Sequence, residues 1–171
     1  MLERPGLITM KGKPLTLLGP EVRPGAPAPD FTVVANDLSD FRFSSLQGQV
    51  CVLSSVPSLD TPVCDIETRR FNDEATGLGA AVMLLTISMD LPFAQKRWCG
   101  AAGVENLKTF SDHREAAFGL AYGVLIKELR LLARAVFVVD QGGKVQHVQI
   151  VPELASEPDY EAVLQAVRRL F

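Results

Sequence analysis

Three continuous apolar runs predict buried strands in the middle and second half of the chain. They are QVCVLSSV (49–56), AVMLLTIS (81–88) and ARAVFVVD (133–140). Runs of this length without polar alternation are typical of strands covered on both faces of a sheet. We therefore expect these segments to be central strands of one sheet.

Shorter segments predict further strands around this centre. FTVVAN (31–36) and DFRFSSL (40–46) are strand-like and are joined by a short polar link. VQHVQIV (145–151) follows the turn Gln141-Gly142-Gly143-Lys144. A glycine-containing turn of this kind between two apolar runs predicts a β-hairpin with the strand before it.

Helical stretches separate the predicted strands. They are expected at about 62–76, 91–101, 114–121 and 158–170. The last stretch begins at Glu157-Pro158-Asp159 and repeats apolar residues at helical spacing. Strands that alternate with helices and close on a C-terminal hairpin predict an α/β fold, with a mixed central sheet flanked by helices.

The chain is expected to form a single domain over residues 1–171. This length suits one domain with a hydrophobic core. Within residues 1–18, Lys11-Gly12-Lys13-Pro14 separates two apolar runs and predicts an N-terminal β-hairpin. Residues 19–30 contain too much Pro and Gly for a helix or a central strand, which predicts an extended connector.

Charge and composition argue against several classes of partner. The net charge is only -3 and the basic residues are scattered, so no surface for nucleic acid is expected. The N-terminus lacks signal-peptide features, and no apolar stretch approaches the roughly 20 residues that span a bilayer, which predicts a cytoplasmic protein without a membrane partner. The three cysteines form neither a CxxC pair nor a Cys/His cluster, so a disulfide framework and a zinc site are not expected. A functional cysteine would then act as a reactive thiol.

The segment VPSLDTPVCDIETRRF (56–71) places a cysteine where a buried strand ends and a helix begins. Thr61 suits the N-cap and Pro62 the first helical position, so Cys64 falls in the first turn. Unpaired backbone N–H groups and the positive end of the helix dipole favour an anion there, which makes a thiol more reactive. A buried, unreactive cysteine is the alternative, and position alone does not choose between the two.

Two carboxylates, Asp65 and Glu67, share this first turn and would disfavour a thiolate if they faced it. A compensating cation is then needed. The candidates are Arg69 and Arg70 on the next turn and Arg134 at the start of the strand 133–140. Sequence spacing alone leaves the choice among them open.

The remaining cysteines and the histidines have plainer interpretations. Cys51 lies inside the apolar run 49–56, which predicts a buried, inert thiol. Cys99 fits an apolar position of a short helix packed on the sheet. His113 and His147 have no partners at ligand spacing, so neither is given a catalytic role.

The pattern Pro57-x-x-x-Thr61-x-x-Cys64 resembles the PxxxTxxC signature of peroxiredoxins. The similarity extends over nearly the whole chain, in blocks that resemble the bacterial thiol peroxidase family, the atypical two-cysteine branch. The blocks are DLSDF (37–41), PSLDTPVCD (57–65), SMDLPFAQKRWCG (88–100), LLARAVFVVD (131–140) and EPDYEAVL (157–164). The resemblance implies a thioredoxin-like fold, thiol-dependent reduction of hydrogen peroxide and organic hydroperoxides, recycling by thioredoxin, and a homodimer.

The resemblance also implies roles for five residues. Cys64 would be the thiolate that attacks the peroxide, and Cys99 would resolve the resulting sulfenic acid as a Cys64–Cys99 disulfide. Thr61 would hydrogen-bond at the reacting centre, Pro57 would shield the pocket, and Arg134 would be the cation that favours the thiolate. This chemistry requires neither a metal nor an organic cofactor.

One position departs from the family pattern. Arg130 stands where a small residue, often Gly, is expected in the loop before the strand 133–140. The departure bears on the shape of that loop and of the pocket rim.

Two other functions are consistent with some of these features. A thioredoxin-like disulfide oxidoreductase needs a second redox cysteine close to Cys64, typically in a CxxC motif, but position 61 is Thr. A peroxide-responsive redox sensor would form the same Cys64–Cys99 disulfide to switch a partner interaction. Peroxide turnover with a thioredoxin system distinguishes the enzyme from the sensor.

Overall fold

The computed structural model describes residues 1–171 as ten strands, four α-helices and one short 3-10 helix. The strands are β1 (Glu3–Met10), β2 (Lys13–Leu18), β3 (Thr32–Val34), β4 (Asp40–Arg42), β5 (Val50–Ser55), β6 (Val82–Ser88), β7 (Lys108–Ser111), β8 (Leu125–Ile126), β9 (Ala135–Val139) and β10 (Val145–Ile150). The helices are α1 (Pro62–Leu78), α2 (Pro92–Ala102), α3 (Ala117–Ala121) and α4 (Tyr160–Arg168), and the 3-10 helix is Phe43–Leu46.

Seven strands form the central sheet in the order β10-β9-β5-β6-β7-β3-β4. β5, β6 and β7 run parallel, whereas β9 pairs with β5 in the antiparallel direction. Every residue of β5 is buried, because the strand lies in the middle of the sheet with apolar clusters on both faces. The predicted α/β fold, a mixed thioredoxin-like sheet flanked by helices, is confirmed.

Alternate residues of β5 enter two different apolar clusters. Cys51 and Leu53 pack in the larger cluster, with α3 and the N-terminal strands. Val50 and Val52 pack in the smaller cluster, with α1, α2 and α4. This alternation follows from the two-residue period of a strand. The smaller cluster also contains Cys64, so the candidate site lies on that face of the sheet.

The pairing of β5 with β9 brings a distant part of the chain to the end of β5. Ser55, the last residue of β5, pairs with Ala135, and its hydroxyl donates to the Ala133 carbonyl at 2.7 Å. Arg134 therefore lies where β5 ends and the segment leading to α1 begins.

The N-terminal strands form a separate sheet, in the order β1-β2-β8. β1 begins at Glu3 and pairs with β2 in the antiparallel direction. The connector then passes close to the α3–β8 turn, where a Cβ atom on Gly123 would lie 2.1 Å from the Pro20 carbonyl oxygen. Only glycine fits this approach.

Some sequence-based element boundaries were wrong. Only Asp40–Arg42 of the predicted strand 40–46 is a strand, because Phe43 enters the core and stacks on Phe31 with ring centroids 5.0 Å apart. The helix predicted at 114–121 begins at Ala117, because Ala116 has the left-handed φ of 53°. β7 and β8 were not predicted.

Arg130 also has a left-handed backbone, with φ of 54°. Its N–H donates to the Ile126 carbonyl at 2.9 Å, which closes the loop before β9. Glycine adopts this conformation without steric cost, so the geometry explains why a small residue suits the position. None of the helices is long and apolar enough to cross a membrane.

Candidate active site

Cys64 lies in the first turn of α1, immediately beyond the central strand β5. Thr61 occupies the N-cap and Pro62 the first helical position, as the sequence predicts. The Cys64 side chain is 0% exposed and packs within the apolar cluster beneath α1. The site therefore combines the positive end of a helix dipole with a largely dehydrated environment.

Arg134 is the arginine whose side chain reaches the Cys64 thiol. Its Nη2 atom lies 3.4 Å from Cys64 Sγ, and its Nη1 atom donates to Glu67 Oε2 at 2.5 Å. Nε and Nη2 also donate to the Leu154 carbonyl, at 3.2 and 2.9 Å. The guanidinium, 2% exposed, is thus held by three acceptors in one orientation.

The two other candidate arginines have different partners. Arg69 Nε pairs with Asp65 at 2.9 Å, and Arg70 Nε pairs with Glu74 at 3.0 Å. Both side chains are about half exposed. Of the three candidate arginines, Arg134 is the one whose side chain lies beside the Cys64 thiol.

Glu67 turns inward and is completely buried beside Arg134. Ser54 Oγ donates to Glu67 Oε1 at 3.0 Å. Burial raises the pKa of the Glu67 carboxyl to about 7, against the opposing effects of Arg134 and Ser54. Burial alone would lower the pKa of Arg134, but the charges of Glu67 and Cys64 raise it, so the guanidinium stays protonated.

Asp65 points away from the thiol. Its Oδ1 atom accepts a hydrogen bond from Trp98 Nε1 at 2.9 Å, and its Oδ2 atom pairs with Arg69. Both carboxylate oxygens of Asp65 are thus occupied by partners other than Cys64.

The segment between β5 and α1 contains the other two predicted residues of this motif. Pro57 is buried. The Thr61 hydroxyl donates to the Ser58 carbonyl at 2.8 Å and makes no hydrogen bond to Cys64 Sγ. The contact of Thr61 with the reacting atoms therefore stays a prediction for the peroxide-bound site.

Asp90 fixes this segment to the β6–α2 connection. Its carboxylate accepts hydrogen bonds from Ser58 Oγ at 2.7 Å, Leu59 N at 2.8 Å and Ser88 Oγ at 2.8 Å. The loop that precedes Cys64 is thereby attached to the segment that precedes the Cys99 helix.

Cys99 lies in the last turn of α2 and is partly exposed. Its Sγ atom is 3.3 Å from Thr109 Oγ1, and its carbonyl accepts the N–H of Gly103, which ends the helix with φ of 66°. Cys64 and Cys99 are both free thiols, and Cys99 packs at the edge of the apolar cluster that contains Cys64.

Cys51 has the environment of a structural thiol. It lies in β5 between Val139 and Met83 on the neighbouring strands and is 1% exposed. Burial raises the pKa of the Cys51 thiol to about 11, so it is protonated at neutral pH.

The apolar residues near the site divide into buried and exposed ones. Val56 and Leu59 are buried in the cluster with Cys64, whereas Phe93 is 67% exposed at the start of α2. A shallow cleft opens at the start of α1. It is lined by Leu59, Asp60, Thr61, Pro62, Asp65 and Trp98. No group of three or more His, Cys, Asp or Glu side chains in the chain could hold a metal ion.

Sequence reasoning missed the inward pairing of Glu67 and the contribution of the Leu154 carbonyl. Glu67 and Arg134 are 67 positions apart, and Leu154 lies beyond β10. The three-residue spacing from Cys64 to Glu67, which places both on one helix face, was the available local signal.

Comparison with known proteins shows which family this chain belongs to. The Redoxin family matches residues 23–164. A thiol peroxidase of Oceanobacillus iheyensis is 58% identical over 162 residues, which cover 95% of this chain and 98% of that protein. The chain belongs to the thiol peroxidase family.

Two further relatives agree with this assignment. The thiol peroxidase of Bacillus subtilis is 53% identical over 163 residues, which cover 95% of this chain and 97% of that protein. The crystal structure of a peroxiredoxin-like protein from Aquifex aeolicus superposes with a TM-score of 0.90 at 44% identity and covers 96% of each chain. The predicted family and enzyme class, a thiol-dependent peroxidase of the peroxiredoxin type, are confirmed.

Proposed function

We propose that the enzyme reduces hydrogen peroxide and organic hydroperoxides with Cys64 as the attacking thiolate and Cys99 as the resolving thiol. The observation that carries this proposal is the contact between Cys64 Sγ and Arg134 Nη2, 3.4 Å long and buried at the start of α1. A protonated guanidinium and the helix N-terminus together favour the anionic, nucleophilic form of sulfur.

In the first step, the Cys64 thiolate attacks the terminal peroxide oxygen and the O–O bond breaks. Negative charge then develops on the leaving alkoxide or hydroxide. Arg134, the backbone N–H groups of the first turn and Thr61 are the proposed donors that stabilise that charge. Pro57 is proposed to shield the dry pocket in which these interactions are strong.

In the second step, Cys99 condenses with the sulfenic acid at Cys64, which forms the disulfide and protects Cys64 from over-oxidation. The position of Cys99 in the last turn of α2, partly exposed, supports this role because a helix end can open at little cost. The disulfide so formed is proposed to be reduced by thioredoxin.

The proposed working form is a cytoplasmic homodimer of a single 171-residue domain. Leu91 and Phe93 expose their apolar side chains at the start of α2, close to the site, which supports a contact with a second copy there. The cytoplasm is reducing and returns free cysteines to thiols, as this cycle needs.

A coupled assay with thioredoxin, thioredoxin reductase and NADPH tests the proposal. We expect turnover with hydrogen peroxide and with cumene hydroperoxide, and its loss in Cys64→Ser. Cys99→Ser should complete one oxidation but fail to turn over with thioredoxin. A disulfide that forms without catalytic turnover would instead favour a redox sensor.

A further inference from the structure

The residues next to the two redox cysteines are hydrogen-bonded to each other. Asp65 follows Cys64 in α1, and Trp98 precedes Cys99 in α2. Trp98 Nε1 donates to Asp65 Oδ1 at 2.9 Å. The first turn of one helix is therefore joined to the last turn of the other, at the positions where both reacting thiols are located.

Arg69 reinforces this contact from the next turn of α1. Its Nε atom pairs with Asp65 Oδ2 at 2.9 Å, and its Nη1 atom donates to the Ala102 carbonyl at 3.2 Å. The guanidinium carbon lies 5.7 Å from the Trp98 ring centroid. We define the α1–α2 clamp as Asp65 and Arg69 of α1 with Trp98 and the Ala102 carbonyl of α2.

The clamp holds the two segments that disulfide formation has to rearrange. Cys64 Sγ is held beside Arg134, whereas Cys99 Sγ faces Thr109. A disulfide requires Cα atoms within about 7 Å and a narrow range of dihedral angles, so the sulfur atoms have to leave these partners. The carbonyl of Ala102 lies at the end of α2, where backbone carbonyls have no hydrogen-bond partner within the helix. Arg69 donates a hydrogen bond to this carbonyl and thereby stabilises the end of α2.

We propose that the α1–α2 clamp sets the rate of the resolving step by keeping both helix ends folded until Cys64 has been oxidised. This inference rests on the proposed Cys64–Cys99 disulfide. The clamp residues are positioning residues, because they act on the two cysteines through the helix ends and do not touch the peroxide.

Disulfide formation needs no oxidant other than the peroxide that oxidises Cys64. Peroxide takes two electrons from Cys64 and leaves a sulfenic acid, Cys64–S–OH. Cys99 Sγ then attacks Cys64 Sγ, the S–S bond forms as the S–O bond breaks, and the leaving hydroxide takes the Cys99 proton to give water. Opening of the clamp precedes this attack.

Two variants separate the clamp from the reacting groups. Trp98→Phe removes the indole N–H but keeps an aromatic ring in the core. Arg69→Gln changes a half-exposed side chain and leaves Asp65 and Trp98 in place. Arg70→Gln is the matched control, because Arg70 is the neighbouring arginine and pairs with Glu74 on the same helix.

Rapid quenching after one equivalent of hydrogen peroxide, followed by thiol blocking and mass spectrometry, measures sulfenic acid formation and its conversion to disulfide separately. In Arg69→Gln and Arg70→Gln, emission from the single tryptophan, Trp98, follows the opening as well. We expect the rate constant of disulfide formation to rise about tenfold in Trp98→Phe, the effect of losing one hydrogen bond to a charged group, and a few-fold in Arg69→Gln. The rate constant of Cys64 oxidation should change less than twofold in both, and Arg70→Gln should match the wild type in both steps.

The proposed role of the clamp would be overturned if disulfide formation were unchanged or slower in Arg69→Gln and Trp98→Phe while Cys64 oxidation stayed intact. If Trp98→Phe does not fold, Arg69→Gln decides the matter alone. Wild-type peptides without a Cys64–Cys99 link would contradict the proposed function itself, so the two failures are distinguishable.

Discussion

Arg134 binds Cys64 and Glu67 with different nitrogens of one guanidinium, Nη2 to Cys64 Sγ at 3.4 Å and Nη1 to Glu67 Oε2 at 2.5 Å. The cation beside the thiol is therefore shared with a fully buried carboxyl group.

Arg134→Lys tests whether a planar, forked cation is needed. Lysine keeps the charge but cannot hold Cys64, Glu67 and a backbone carbonyl in the same geometry. We expect the second-order rate constant of Cys64 oxidation to fall by about two orders of magnitude, as for loss of a donor that stabilises developing charge. Stopped-flow kinetics measure this constant, and Arg130→Lys, at an exposed position in the preceding loop, is the control. A value within threefold of the wild type would rule out the proposed role.

Glu67→Gln tests the buried carboxyl group through the pH dependence of stability. The pKa of Glu67 is raised by burial from its ordinary 4.5 to about 7 in the folded protein. The native state then binds more protons than the unfolded state between these values, so the contribution of Glu67 to stability is complete below pH 4.5 and is lost as pH rises through 7. Between pH 4.5 and 7, we expect the free energy of unfolding to fall by on the order of 3 kcal/mol more in the wild type than in Glu67→Gln.

Urea titrations at four pH values from 4.5 to 7.5 measure the difference. Asp112, whose pKa burial raises to about 6, is present in both proteins and its effect cancels. Glu74→Gln, in the exposed pair with Arg70, serves as the control. Parallel pH profiles for wild type and Glu67→Gln would mean that folding does not raise the pKa of Glu67.

The sequence predicts the scaffold of the site better than its electrostatics. The apolar run of β5 and the Thr61-Pro62 helix start are local signals, and both place Cys64 correctly. The pairing of Glu67 with Arg134 depends on the antiparallel register of β5 with β9, which no local pattern encodes. Family resemblance identified Arg134, but not the carboxyl group that shares it.

Short elements were missed for a related reason. β7 is the four-residue segment KTFS, whose Lys and Thr weaken any apolar signal, and β8 has only two residues. Tertiary pairing with β6 and with β2 makes them strands. The short α3 begins after Asp112, whose carboxylate accepts the N–H groups of Phe118 and Gly119 at 3.1 and 2.8 Å.

Cys51→Ser should separate a structural thiol from the redox pair. We expect peroxide turnover to stay within twofold of the wild type, because Cys51 lies away from Arg134 in the larger apolar cluster. The free energy of unfolding should fall by about 1–3 kcal/mol, the cost of burying a hydroxyl without a good partner. Cys51→Ala, which adds no polar group, is the comparison in urea titrations. Loss of turnover in folded Cys51→Ser would show that the resolving thiol is misassigned.

Arg130→Gly should stabilise the protein. The positive φ of 54° costs an ordinary residue more than it costs glycine, although glycine also loses more entropy on folding. We expect a net gain of about 0.5 kcal/mol and a rise in melting temperature of about 2 °C. Arg130→Ala removes the same side chain without relieving the backbone and should give no gain. Equal effects of the two substitutions would exclude a backbone origin.

The identity of the cysteine that peroxide oxidises first tests the proposed role of Cys64. Cys99→Ser protein, treated with one equivalent of hydrogen peroxide in the presence of a sulfenic-acid trap such as dimedone, is digested and analysed by mass spectrometry. We expect the adduct on the peptide containing Cys64, with Cys51 unmodified, and no adduct when Cys64→Ser is added. An adduct on Cys51, or undiminished peroxide consumption without Cys64, would contradict that role.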